Sequence, residues 1–347
     1  MQFLKYSLIV IFCLLGCGDK EELPNTLMDF EPIENDEVDS MDTEEVDSID
    51  SIDYRDEMRS FVIKMSDYAK SAIPGFVVIP QNGIELITEK NNPNGEIFKD
   101  YLQATDANGQ ENLFYGYNGD DIETNTEVTN YLVDYLKVAQ ANGNQIFTID
   151  YCSSNDNIEN SIDKNQNLNF ISFAATDRNL RVIPELSEKQ LQSTKDINVL
   201  EDAHNFLFLV NYSNYETKEN LINEVELTDY DIIFMDMFFN DGTTFDRSMI
   251  ERLKLRTNGT KRMVICYMSI GEAENYRYYW DASWETETPV WLDEENPNWP
   301  GNYKVKYWNP EWQRIIYGTE ESYLDNIIRL NFNGIYLDIV DAFEYYE

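Results

Sequence analysis

Histidine is all but missing from this chain: His204 stands alone in 347 residues, and it reads as a surface position. A Ser-His-Asp triad needs an imidazole base and most zinc sites need several imidazoles, so both chemistries lose their usual donors. Cysteine is scarce as well. Beyond Cys17 only Cys152 and Cys266 remain, each in a strand-like apolar run where a buried free thiol is the default. A single disulfide between them stays open, but a disulfide-built scaffold is excluded. No glycine-rich phosphate loop follows any apolar run, which removes the common nucleotide cradles. Positive charge is the fourth shortage, with 26 Lys and Arg against 65 Asp and Glu, a net −39. Phosphate backbones want a basic stripe, so a nucleic-acid partner is not expected. Neither a metal nor a cofactor is expected. Beyond the leader, no stretch approaches the roughly 20 apolar residues of a membrane-spanning helix.

What is present begins with a leader. Lys5 followed by Leu8-Ile9-Val10-Ile11-Phe12-Cys13-Leu14-Leu15 has the charge and short apolar core of a secretory signal. Leu14-Leu15-Gly16-Cys17 then reads as a lipobox, with Cys17 acylated after cleavage. The expected location is the bacterial cell envelope, outer membrane or cell surface, with the bilayer touched through the lipid on Cys17 alone. Residues 18–53 hold fifteen acidic residues and one lysine. Such a segment cannot bury enough apolar area to offset its ordering entropy, so it is expected to be a disordered tether. That leaves 54–347 as the folded part. Its acidity would steer in a cationic partner, and would equally serve solubility in a salty habitat.

From Tyr54 onward helical periodicity alternates with short apolar runs. Met58, Phe61, Val62, Met65, Tyr68 and Ala69 define an amphipathic helix over 55–72. Strands are expected at 76–80, somewhere in 103–116, and at 145–150, 170–174, 206–211, 231–237, 263–269 and 334–339. Helices are expected at 126–142, 217–227, 246–257 and 320–331. Eight strands in such alternation argue for an α/β fold of the (β/α)8 TIM-barrel type. The order is odd, because a helix comes first and a strand nearly last. This is the pattern of a circular permutation, with helix 55–72 being the one that belongs after strand 334–339.

The acids fall at strand ends. Asp150, Asp236, Glu272 and Asp338 each end or follow a strand, on the face where barrel sites form. Four carboxylates converging there would repel one another unless some are protonated or paired with a cation, an arrangement suited to acid–base work. All six tryptophans lie between 280 and 312, in an insertion after strand 263–269. Indole faces stack on sugars, so this lobe either lines a saccharide groove or packs as its own small core. Trp299 and Trp308 are the candidates for ligand contact.

Four blocks resemble the barrel family of the glycoside hydrolase family 114 endo-α-1,4-polygalactosaminidases and their bacterial and archaeal relatives. They are Val264–Glu274 with Tyr276–Trp280, Trp299–Tyr303 and Val305–Trp308; Gly334–Tyr345; Pro74–Phe76 with Ile79–Gly83; and Glu111–Tyr115. In those relatives the last two blocks follow the Asp338 block, whereas here they precede it, in keeping with a permutation. The resemblance implies an endo-acting glycosidase on a galactosamine-type polysaccharide. It points to Asp338 and Glu111 as the two carboxyl groups that glycoside cleavage requires. Glu272, Asp236, Asp150 and Asn82 are then expected to meet substrate, and Asp341 to hold a backbone amide or Arg277. A second reading stays open at this stage: a non-catalytic surface lipoprotein that binds glycan through the tryptophan lobe.

Overall fold

The computed structural model describes residues 52–89, 92–190 and 193–347. The leader, Cys17 and nearly all of the acidic tether lie outside the described residues. Tyr54–Glu347 forms one compact unit. In chain order it runs α1 (Tyr54–Ala72), β1 (Val77–Pro80), α2 (Lys99–Ala104), β2 (Ala107–Glu111), β3 (Tyr115–Gly116) and β4 (Gly119–Glu123). Then come α3 (Thr126–Ala141), β5 (Gln145–Tyr151), α4 (Asn155–Asn167), β6 (Ile171–Ala175), β7 (Phe206–Leu209), α5 (Lys218–Glu226), β8 (Ile232–Asp236), α6 (Arg247–Leu253) and β9 (Met263–Ser269). The chain closes with β10 (Glu272–Glu274), β11 (Leu292–Glu295), β12 (Asn302–Val305), α7 (Pro310–Ile316), α8 (Tyr323–Arg329) and β13 (Gly334–Asp338).

Local chemistry explains the boundaries. The α1 face of Met58, Phe61, Val62, Met65 and Ala69 is fully buried, as its spacing requires. The Asn125 side chain caps α3 by accepting from Val128 N, and Gly143 at φ 102° takes the left-handed turn that follows. Helix α4 has no counterpart in the sequence reading. Its thirteen residues are almost all polar, and of its inward positions only Ile162 is apolar; Ser161 and Asn165 are buried through hydrogen bonds instead. His204 is exposed, in a loop. Cys152 and Cys266 are buried free thiols, so no disulfide joins them.

Two parallel sheets carry the architecture. One runs β1-β13-β9-β8-β7 and the other β2-β5-β6. A parallel bridge from Gln81 to Gly109 sets β2 beside β1. Strand β13 stands between β9 and β1. Rings from both sheets meet in one core. Phe147 of β5 packs on Phe206 of β7 and Phe234 of β8 at 5.4 and 5.5 Å, and Phe173 of β6 lies 5.6 Å from Phe206. Tyr336 of β13 lies 4.9 Å from Phe234. Helix α1 sits against the end of the chain: Arg55 pairs with Glu347 at 2.7 Å and lies over the Phe343 ring, and Tyr54 packs on Tyr346.

The insertion after β9 folds as a small antiparallel sheet, β10-β12-β11. Most tryptophans build its core, in a relay of edge and tilted contacts from Trp280 to Trp284, Trp291 and Trp312 at 4.9–5.2 Å. Trp312 donates its Nε1 to Ile270 O, which anchors the lobe to the end of β9.

Candidate functional site

Side chains two apart on a strand share a face. The inward face of β13 therefore carries Tyr336 and Asp338, that of β2 Gly109 and Glu111, and that of β5 Phe147, Ile149 and Tyr151. The bridge that brings β2 beside β1 puts the ends of β13 and β2 on either side of the turn Gln81-Asn82. There the charge of Glu111 acts on Asp338. Each carboxylate is held by a tyrosine from a neighbouring strand: Tyr267 donates to Asp338 Oδ2, and Tyr151 donates to Glu111 Oε1. Ile339 N supplies Asp338 Oδ1 at 2.8 Å, and Gln81 Nε2 supplies Glu111 Oε2 at 2.8 Å.

Electrostatics act on Asp338 from several sides. Burial and then the negative charge of Glu111 push its carboxyl from the ordinary value of 3.8 up to about 7. The Tyr267 hydroxyl and the Ile339 amide pull in the other direction without winning, and Glu272 adds a smaller upward push. A carboxyl poised there keeps a proton near neutrality, as a general acid must.

The other expected site residues have different occupations. Glu272 is fully buried and accepts from Asn296 Nδ2 (2.7 Å), Asn302 Nδ2 (3.2 Å) and the Tyr345 hydroxyl (2.7 Å). It ties the insertion and the chain end to β9. Asp236 pairs with Arg277 Nη1 at 2.8 Å, and the same guanidinium holds Glu274 at 2.5 Å. Asp236 thus serves a buried ion cluster, and Arg277 is held by Asp236 and Glu274 rather than by Asp341. Asn82, at φ 55°, turns its side-chain oxygen to Glu111 N (3.2 Å) and Gln110 Nε2 (3.1 Å), which seats Glu111. The Trp308 ring is taken up by Tyr54, Tyr307 and Tyr346 at 4.8–5.0 Å, in the packing of α1 against the chain end. Trp299 stays open, with 52% of its surface exposed.

Asp150 is the clearest correction. Its parity opposes that of Tyr151, so it faces helix α4 rather than the site. Ser161 Oγ (2.6 Å), Asn165 Nδ2 (3.1 Å), Phe114 N (2.8 Å) and Tyr115 N (3.2 Å) fill its acceptor positions. Asp150→Asn is expected to set an amide against the Asn165 amide and to cost about 1–3 kcal/mol in urea unfolding. An unchanged midpoint would remove this structural role.

The sequence reading missed Tyr267, Tyr151, Gln81 and the Arg277–Glu274 pair. The signal for the tyrosines was there: Tyr267 is two residues before Ser269 at a strand end, and Tyr151 shares parity with the buried Phe147. Among the described residues, no group of three or more His, Cys, Asp or Glu is arranged to hold a metal ion. What the site offers is carboxyl and phenol chemistry.

Residues 219–346 match the sequence profile of glycoside hydrolase family GH114. That segment is similar to the family. It contains β8, β9, the tryptophan lobe and β13 with Asp338, while Glu111 and Asn82 lie outside it. A protein of Methanocaldococcus jannaschii, itself uncharacterized, is 39% identical over 179 residues, 51% of this chain and 49% of that protein. Uncharacterized proteins of Thermotoga maritima and Deinococcus radiodurans are 43% and 37% identical over 123 residues, 35% of this chain and 36% and 37% of theirs. The chain spans about half or less of the length of these curated relatives. Glycoside hydrolase chemistry and a polysaccharide substrate are what the family match supports.

Proposed function

We propose that the protein is an endo-acting glycoside hydrolase cleaving a galactosamine-type polysaccharide, with Asp338 as general acid and Glu111 as its charged partner. The observation that carries this reading is the Asp338 carboxyl, raised to about 7 beside the negative charge of Glu111 at adjoining strand ends. A carboxyl that keeps its proton beside a second carboxylate can divide with it the labour of glycoside cleavage. Asp338 gives its proton to the leaving glycosidic oxygen. Glu111 supplies negative charge against the positive charge that develops at the anomeric carbon as its bond to that oxygen breaks, and a water then adds at the carbon and gives up a proton that restores Asp338. An acidic chain, net −39, suits a polymer bearing free amines. In this proposal the two parallel sheets close into a permuted (β/α)8 barrel. The supports are the Gln81–Gly109 bridge on one side, the Phe173–Phe206 packing on the other, and the contact of α1 with the chain end. The proposal also places the enzyme outside the cytoplasm, anchored through lipid on Cys17.

The test is release of reducing ends from polygalactosamine by the purified chain. Activity is expected to fall on the alkaline side with a midpoint near pH 7, because Asp338 then loses the proton it must donate. Binding of the polymer with no release at any pH would favour the non-catalytic reading.

A further inference from the structure

Tyr151 gives its hydroxyl to Glu111, and a cation stands on the face of its ring. The Arg178 guanidinium carbon lies 3.9 Å from the centroid of that ring. Tyr151 ends β5, and Arg178 follows β6, the strand paired with β5. Register sets Tyr151 beside Ala175, so the chain beyond Ala175 can turn Arg178 back over the phenol.

Further contacts keep the guanidinium there. Its Nη2 donates to Gly116 O at 2.8 Å and its Nε to Asp120 Oδ1 at 2.5 Å, both in the hairpin β3–β4 that follows Glu111. Gly116, at φ 113°, makes this approach possible. A methyl group at that position would fall 3.0 Å from Arg178 Nη2 and from Tyr151 Cβ, and 2.4 Å from Asn112 Oδ1. The hairpin is held in turn by the loop after β5, where Asp121 accepts from Ser153 N at 2.8 Å and Ser154 N at 3.0 Å.

The pair with Asp120 is of a kind that contributes little at a surface. The stack is different. Tyr151 is buried and only 19% of the Arg178 side chain is exposed, so the cation faces the ring largely out of water. Its charge draws electron density toward the ring face and away from the hydroxyl, which makes the phenol a stronger donor. Burial first, and then the charge of Glu111, raise this phenol well above its ordinary value, with Arg178 pulling in the other direction. The phenol therefore keeps its proton and shares it only as a hydrogen bond. The stack also fixes the ring plane, and with it the direction from which the hydroxyl reaches Glu111 Oε1. Gln81 fixes the other oxygen.

Resting on the hydrolase reading above, we propose that Arg178 is a positioning residue that acts on Glu111 through Tyr151. It strengthens and aims the hydrogen bond that holds the Glu111 carboxylate while charge develops at the anomeric carbon. Arg178 needs no contact of its own with the substrate.

Arg178→Met in the full chain is expected to fold and to lower kcat about tenfold, with KM within about twofold. Arg178→Lys returns a cation to the ring face and should bring kcat to within about threefold of the parent. In Tyr151→Phe, which has no hydroxyl to strengthen, Arg178→Met should cost nothing more. A full further loss there, or Arg178→Lys as slow as Arg178→Met, would make Arg178 a brace for the hairpin and overturn the proposal. A second measurement needs no turnover. Urea unfolding of Tyr151→Phe, Glu111→Gln and the double variant gives the coupling between phenol and carboxylate. That coupling is expected to fall by at least half in the Arg178→Met background, and an unchanged coupling would sink the idea. If Arg178→Met does not fold, Arg178→Gln, which can still bond Gly116 O, takes its place in both measurements. A reduced coupling in a chain that releases no reducing ends would end the hydrolase reading and leave the hold of Arg178 on Glu111 standing.

Discussion

Asp338→Asn is expected to lower kcat by about 10²–10⁴-fold while leaving the chain folded, and above pH 7 more stable than the parent. The activity loss follows from removing the proton donor, a carboxyl raised by burial and by Glu111. The gain in stability follows from the same perturbation. With its carboxyl raised from 3.8 to about 7 by burial and by Glu111, the folded protein binds more protons than the unfolded chain between those values. The parent therefore loses stability as pH rises through that window, and the loss is complete above about 7. A carboxyl displaced that far from its ordinary value can cost the fold at most about 4 kcal/mol. Asparagine keeps the neutral form at every pH, so the two proteins should melt alike near pH 4 and separate steadily toward pH 7. Thermal melts across that range check it. Equal melting temperatures at pH 8 would mean that Asp338 is not strained by its neighbours, and retained hydrolysis would end its assignment as the acid.

Arg277→Met is expected to destabilise the fold by about 3–5 kcal/mol at neutral pH. Arg277 is buried between Asp236 and Glu274, and its guanidinium also lies 4.9 Å from the Phe238 ring centroid. Methionine fills much of the stem volume but leaves two buried negative charges facing each other. Asp236 is already pushed up by burial, with Arg277 pulling it down and Glu274 pushing it up. Without the cation it should take up a proton, so the cost should shrink as pH falls from 8 to 5. Urea unfolding at the two pH values reads this directly. A loss under about 1 kcal/mol at pH 8 would show that the cluster is solvated and structurally idle.

By itself the sequence determined the alternation of strands and helices and the buried stripe of α1, because both follow from apolar periods of 2 and 3.6. Asp338, too, was legible, since it ends the apolar strand Gly334–Asp338. What periodicity could not resolve was which way an acid at a strand end faces. Asp150 and Tyr151 are adjacent, yet one binds the wall helix α4 and the other holds Glu111, because successive side chains leave opposite faces of a strand. Nor could it find α4, whose buried face works through Ser161 and Asn165 hydrogen bonds rather than apolar area. Tertiary structure alone decided that Glu272 and Asp236 are bound to side chains distant in sequence or in a following loop. It alone placed Tyr267, Tyr151 and Tyr336 around the two acids. A carboxylate's task depends on the donors and charges within a few ångströms of it, and those come from strands whose proximity is created only when the sheets pack.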